Sequence, residues 1–182
     1  AYPSSANFAE SRLYVEYQED VFVGYRYFET IPGAAASVCY PFGYGLSYTT
    51  FALSDVRGGM NGAGEIALSA TVTNTGLCAG KYVLQAYVNP PKGRIAKPAA
   101  ALVGFAKTRL LEPNESETLT VSFAPYAFAT YDDEGAVRKS AYVLEKGAYG
   151  FRVGENVRET VNVDYRYELD DDAILELSLI HI

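Results

Sequence analysis

Thr118-Leu119-Thr120-Val121-Ser122-Phe123 alternates a polar and an apolar residue through the whole run. Successive side chains on a strand point to opposite faces, so this period puts Leu119, Val121 and Phe123 on a buried face and the hydroxyls in water. Upstream, Glu112-Pro113-Asn114-Glu115 supplies the turn that starts the strand. Two earlier runs read the same way. Ile66, Leu68, Ala70 and Val72 alternate with Ala67, Ser69, Thr71 and Thr73 until Asn74-Thr75-Gly76 ends them. Tyr82, Leu84, Ala86 and Val88 line the inner face of the next strand, which stops at Pro90-Pro91. A further strand is expected over residues 102–110, and residues 127–131 read as a short helical turn or a corner. After the acidic turn Asp132-Asp133-Glu134-Gly135, three closing strands place Tyr142 and Leu144, then Tyr149, Phe151 and Val153, then Val161, Val163 and Tyr165 inward.

About seven short strands with turn signals between them over roughly 115 residues is the pattern of an immunoglobulin or fibronectin type III-like β-sandwich. The expected class is all-β, with the sandwich over residues 52–165. No long amphipathic helix is present to build βαβ units. Sixteen Tyr and nine Phe but no Trp favour pleated, half-buried strands and remove the Cys…Trp…Cys signature of antibody-type domains.

Ahead of the sandwich lies Tyr40-Pro41-Phe42-Gly43-Tyr44-Gly45-Leu46-Ser47-Tyr48-Thr49-Thr50-Phe51. A flexible tether would be rich in Ser and Gly without rings. Here four rings need somewhere apolar to lie, while Pro41 and two glycines fix an unusual backbone path, so residues 40–51 read as a stiff linker between packed units. Before it, Val21-Phe22-Val23-Gly24-Tyr25-Arg26-Tyr27-Phe28 has apolar character without alternation, the pattern of a strand covered on both faces, and Pro32-Gly33 breaks it.

Taken together, Leu13-Tyr14, the run from Asp20 to Thr30 and the linker resemble the domain junction of glycoside hydrolase family 3, the β-glucosidase-like enzymes. Val72-Thr73-Asn74-Thr75-Gly76, Gly80-Lys81, Leu102-Val103-Gly104-Phe105, Leu111 to Glu115, Tyr131-Asp132 and Gly147-Ala148-Tyr149 are similar to the fibronectin type III-like domain of that family. The resemblance covers residues 13–165. It implies that residues 1–39 close an α/β domain, that 40–51 link it onward, and that the parent enzyme is a retaining β-glycosidase. Residues 166–182 are expected to be an acidic, loosely helical tail, truncated or partly foreign, although some family members continue past this domain. The start at Ala1 likewise reads as mid-protein, with no signal peptide in view. Cytoplasmic and secreted locations both stay open.

Composition narrows the partners. Hydrophobic residues make up 49% and charged residues 20%, enough for a buried core and against wholesale disorder. The formal charge of −7, without a Lys/Arg cluster, excludes nucleic acid as a partner. No stretch approaches the roughly twenty apolar residues that span a bilayer. Cys39 and Cys78 are too few for a disulfide scaffold or a metal-ligand pair and are expected to be buried as small hydrophobes. No cofactor motif is present, and Asp132-Asp133-Glu134 lacks the spacing of a calcium loop, so neither cofactor nor metal is expected.

A glycosidase needs two carboxyl groups flanking the scissile bond, about 5 to 5.5 Å apart for retention. The acids here, Glu19-Asp20, Asp132-Asp133-Glu134 and Asp170-Asp171-Asp172, are local clusters that read as solvated charge. The resemblance implies an aspartate nucleophile and an acid/base elsewhere in the parent, and no position here matches either motif, so no catalytic residue is expected in this chain. His181, the only histidine, sits one residue from the end. For sugar binding, Tyr25, Tyr27, Tyr44 and Tyr48 offer rings and Arg26 a hydroxyl partner; packing between domains is the simpler role for them. The partners left open are the parent's catalytic domains, a β-linked oligosaccharide and a second copy of the chain. A stand-alone immunoglobulin-like interaction domain is the remaining alternative.

Overall fold

The computed structural model describes residues 19–177. Leu13-Tyr14, His181 and most of the apolar end at 177–182 lie outside them. A six-residue helix, α1 (Tyr25–Thr30), and a 3-10 turn at Ala34–Ser37 precede the strands. The strands are β1 (Phe51–Met60), β2 (Ile66–Asn74), β3 (Val83–Asn89), β4 (Ala101–Lys107) and β5 (Ser116–Phe123). After a 3-10 turn at Pro125–Phe128 come β6 (Thr130–Asp132), β7 (Ala141–Leu144), β8 (Gly147–Gly154), β9 (Thr160–Leu169) and β10 (Ala173–Leu177). All pairings are antiparallel, in three sheets: β1-β2-β5, β4-β3-β8-β9 and the short β10-β7-β6. The described residues thus form an all-β sandwich with ten strands instead of about seven, because its edges divide into short extra ladders.

The alternating runs pair as their periods require. Ile66 faces Phe123, Leu68 faces Val121 and Ala70 faces Leu119, and all six are buried. Across the wet face of the same ladder, Thr71 bonds Thr118 at 2.9 Å and Thr73 bonds Ser116 at 2.8 Å. The second sheet contributes Leu84, Ala86, Val88, Tyr149, Phe151 and Val153 to one continuous core. Each fully buried Leu, Ile or Phe adds about 1.5–3 kcal/mol of transfer free energy, so this two-sheet interior carries the fold.

Several local expectations change. Residues 21–28 form no strand: Val21 to Val23 is turn and irregular chain, Gly24 takes φ 58°, and the helix follows at once. An apolar run this short fits a helix packed on one side as well as a doubly covered strand, and no described strand pairs with it. Where a loosely helical tail is expected over Arg166 to Glu176, the chain is strand up to Leu169 and again from Ala173, with a break at 170–172 between them. Tyr165, Tyr167 and Leu169 alternate with charged residues and pack on the core, and β10 pairs with β7. Val143, not Tyr142, points inward; Tyr142 lies outside, its ring tilted against Tyr126 and Tyr131 with centroids 5.1 and 5.2 Å away. Val161, on the edge strand β9, stays exposed. Both cysteines are free and exposed.

Two polar knots hold the loops. Asn74, fully buried, donates to the carbonyls of Leu111 at 2.9 Å and Cys78 at 2.8 Å, and accepts from Thr49 Oγ1 at 2.6 Å. This ties the end of the linker to the end of β2. Glu145, equally buried, accepts the backbone N–H of Arg94 and of Ile95 and pairs with Lys97 Nζ and Arg94 Nε. The loop between β3 and β4 is thereby folded around one carboxylate.

Burial pushes the Glu145 carboxyl up, but Lys97 and the two backbone N–H donors outweigh it and hold the pKa at about 2, against an ordinary 4.5. A depressed folded pKa contributes stability that is complete above about 4.5 and drains away as pH falls towards about 2. Thermal unfolding between those limits should therefore show a steep loss of Tm, and Glu145→Gln should flatten that slope while lowering Tm at neutral pH.

Candidate functional site: the docked linker

Strand β3 alternates Leu84, Ala86 and Val88 inward, so Gln85 and Tyr87 point to the outer face, where water is the ordinary neighbour. Instead Tyr87 is fully buried and Gln85 nearly so, with Ala100 and Val157 forming a second small core beside Tyr25 and Leu102. The cover is the segment before β1. Tyr25 on α1 lies flat against Phe42 of the linker, centroids 4.1 Å apart and planes 14° from parallel. The Tyr25 hydroxyl accepts the backbone N–H of Leu102 at 2.9 Å, and Thr30 Oγ1 accepts that of Ala99 at 2.8 Å.

The turn between β8 and β9 grips the linker from the other side. Val157 N–H donates to the Phe42 carbonyl at 3.0 Å. Arg158 forks onto Glu29 of α1, with Nε 2.9 Å and Nη2 2.7 Å from Oε1, and reaches the Ala35 carbonyl at 3.3 Å. Between these contacts sits Gln85, whose amide donates to the carbonyls of Gly43, at 3.1 Å, and Glu155, while its oxygen accepts the Tyr87 hydroxyl at 2.6 Å. The ion pair at the partly exposed rim is worth at most about 1 kcal/mol. The ring stack and the buried amide carry more, because unpairing a buried polar group costs about 1–3 kcal/mol.

The sugar-binding candidates acquire different surroundings. Tyr25 is committed to Phe42 and Leu102. Arg26 lines a narrow cleft with Val21, Val88, Lys97 and Pro98. Tyr44 leans on Tyr40 at 4.9 Å, and both remain exposed. Tyr48 is 99% exposed and Leu46 90%.

The acids are used as anchors. Asp132, buried, accepts the backbone N–H of Gly135, Ala136, Val137 and Arg138 at 2.7–3.0 Å, and these bonds outweigh burial and lower its pKa. It is not solvated charge. Asp172 accepts Lys146 N–H at 2.9 Å and pairs with Arg94, which lowers its pKa in turn. Glu155 is raised to about 6, first by its hydrogen bond with Glu159 and then by burial. Two carboxyls bonded to each other on an exposed turn leave no room for a glycosidic bond between them. Among the described residues, no group of three or more His, Cys, Asp or Glu is placed to hold a metal.

Sequence reasoning passed over Gln85, Glu145 and Arg158. Glu145 had a signal, an acid directly after a buried strand with Lys97 and Arg94 in a proline-bounded loop. Gln85 had none, since a polar residue at an outward position is the rule.

Residues 82–157 match the model of the fibronectin type III-like domain. The chain is 49% identical to β-glucosidase A of Butyrivibrio fibrisolvens over 96% of its length, covering 23% of that protein. Its fold superposes on a β-glucosidase from Paenibacillus barengoltzii with a TM-score of 0.87 at 46% identity, over 97% of this chain and 20% of the other. The chain is a fibronectin type III-like segment of glycoside hydrolase family 3. A family 3 β-glucosidase from Bifidobacterium adolescentis agrees, with a TM-score of 0.74 at 35% identity over 96% of this chain and 23% of that one. The segment spans between a fifth and a quarter of these three proteins.

Gly43 tests the docking directly. It takes φ 87°, and a Cβ there would lie 2.1 Å from Gln85 Oε1. Gly43→Ala should lower unfolding stability by about 1–3 kcal/mol and speed hydrogen exchange of the Val157 amide. Gly45→Ala, where a Cβ meets open space, should change stability by less than about 0.5 kcal/mol.

Proposed function

We propose that this segment is a non-catalytic brace of a family 3 glycoside hydrolase of β-glucosidase type, in which residues 1–39 finish an α/β domain and 40–51 clamp it to the sandwich. The observation that carries this reading is the two-sidedness of the linker. Its inner side is bonded to β3 and to the turn after β8, while Tyr40, Tyr44, Leu46 and Tyr48 face outward. A cluster of exposed apolar side chains on an otherwise fixed backbone marks a contact surface. The catalytic domains of the parent are its natural partner, and the retaining hydrolysis of terminal β-glycosides belongs to their carboxylates.

The reading predicts that the purified chain folds cooperatively and releases no nitrophenol from aryl β-glucosides. Turnover that disappears on replacing a single acid of this chain would overturn it.

The exposure of Tyr44 and Tyr48 also favours a second reading, a carbohydrate-binding face with Tyr25 and Arg26 behind it. Calorimetric titration with β-gluco-oligosaccharides should then give saturable heat that Tyr44→Ala and Tyr48→Ala each weaken. A flat titration eliminates this alternative.

A further inference from the structure

On the outer face of the four-stranded sheet, beside the docked linker, an open groove of about 810 Å³ runs over β8 and β9. Its lining includes Gly150, Asn162, the cations Arg152 and Arg166 and the acids Asp164 and Glu168. The groove has a structural cause. Gly150 pairs with Arg166 and Arg152 with Asn162, so three residues of β9 stand against one of β8, and the edge strand bulges away. Gly150 leaves the floor bare, with open space where a Cβ would be.

Arg152 is the feature that asks for a ligand. Its Nε is buried without a hydrogen-bond partner, and its guanidinium forms no ion pair among the described residues. Burial pushes its pKa below the ordinary value, with the charges of Glu29 and Tyr87 acting in the opposite sense. Glu29 is itself engaged by Arg158. A half-buried guanidinium with an unpaired donor is costly, and a carboxylate meeting its planar fork is the group that satisfies it best.

We propose that this groove seats an acidic loop from the remainder of the α/β domain, with Arg152 as the cation that loop pairs. The inference rests on the brace reading above. Continuity favours this occupant. Arg152 lies directly opposite Tyr87 in the β3–β8 ladder, and Tyr87 is buried beneath the linker and α1, so the groove begins where the existing contact ends. Matched relatives are four to five times longer than this segment, which leaves ample polypeptide to fill it. A sugar fits less well, because of the rings in the lining Phe151 is buried in the core and Tyr165 packs against it, partly buried.

The test uses the full-length parent polypeptide, with hydrogen exchange and calorimetry as readouts. Gly150→Trp fills the groove, and Arg152→Gln removes the cation. Each should speed exchange in residues 150–152 and 162–166 roughly tenfold, equivalent to about 1.4 kcal/mol, and split the sandwich off as a separate unfolding transition. Arg152→Lys should fall between them and the unaltered protein. In the 182-residue chain alone Gly150→Trp should leave melting unchanged and Arg152→Gln should leave it unchanged or raise it. Equal destabilisation of both forms, or no change in the full-length protein, overturns the proposal, as does saturable binding of β-gluco-oligosaccharide that Gly150→Trp abolishes. A Leu46→Asp, Tyr48→Asp double variant separates the two readings. If it uncouples the domains while Gly150→Trp does not, the brace stands and the groove seat falls; if neither uncouples them, the brace falls too.

Discussion

The arrangement depends on the buried amide of Gln85. A side-chain amide out of water must have its donors and acceptor met, and here they are met by carbonyls from Gly43 and Glu155 and by the Tyr87 hydroxyl. Those partners come from the linker, from the turn after β8 and from β3 itself. None can move without stranding a polar atom at a cost of about 1–3 kcal/mol. One side chain thus couples the path of the chain before the sandwich to the sandwich's outer face. This explains why Gly43 has to be glycine: the carbonyl must approach so closely that a Cβ would strike the amide.

That coupling makes the linker part of the folded body. Asn74 fixes its far end through Thr49, while the stack of Tyr25 on Phe42 and the bond from Val157 N–H to the Phe42 carbonyl fix its near end. With its backbone set, the outward side chains are presented at fixed positions, and a rigid apolar surface binds with less entropy to lose than a mobile one. The sequence between Tyr40 and Tyr48 therefore serves two surfaces at once. Phe42 and Gly43 face the sheet; Tyr40, Tyr44, Leu46 and Tyr48 face away from it.

The inner faces of β2, β3, β5 and β8 were legible because a half-buried strand prints its burial as a period of two, and Leu119, Val121 and Phe123 lie where that period puts them. The outer face of β3 was not legible. Gln85 and Tyr87 look like ordinary outward residues until the chain more than forty positions earlier folds over them, and no local pattern encodes a cover that distant. The stretch from Tyr165 to Leu169 did carry the right period, but the Asp170-Asp171-Asp172 cluster after it drew the reading towards a solvated tail. Residues 21–28 failed for a different reason. Eight residues are too few for periodicity to separate a short packed helix from a buried strand, and Gly24 at φ 58° turns the chain before either pattern is established.

The acids complete the functional argument. A catalytic general acid must hold its proton near neutral pH, which requires a raised pKa in a walled site. The buried carboxylates here are pushed the other way: Asp132 by four backbone donors, Glu145 by Lys97 and two backbone donors. Both are locked in the ionised form and spent on closing loops. Glu155 is raised, first by its hydrogen bond with an identical group beside it on an open turn and then by burial. The charges of this sandwich therefore stabilise geometry, and the geometry they stabilise is the one that holds the linker in place.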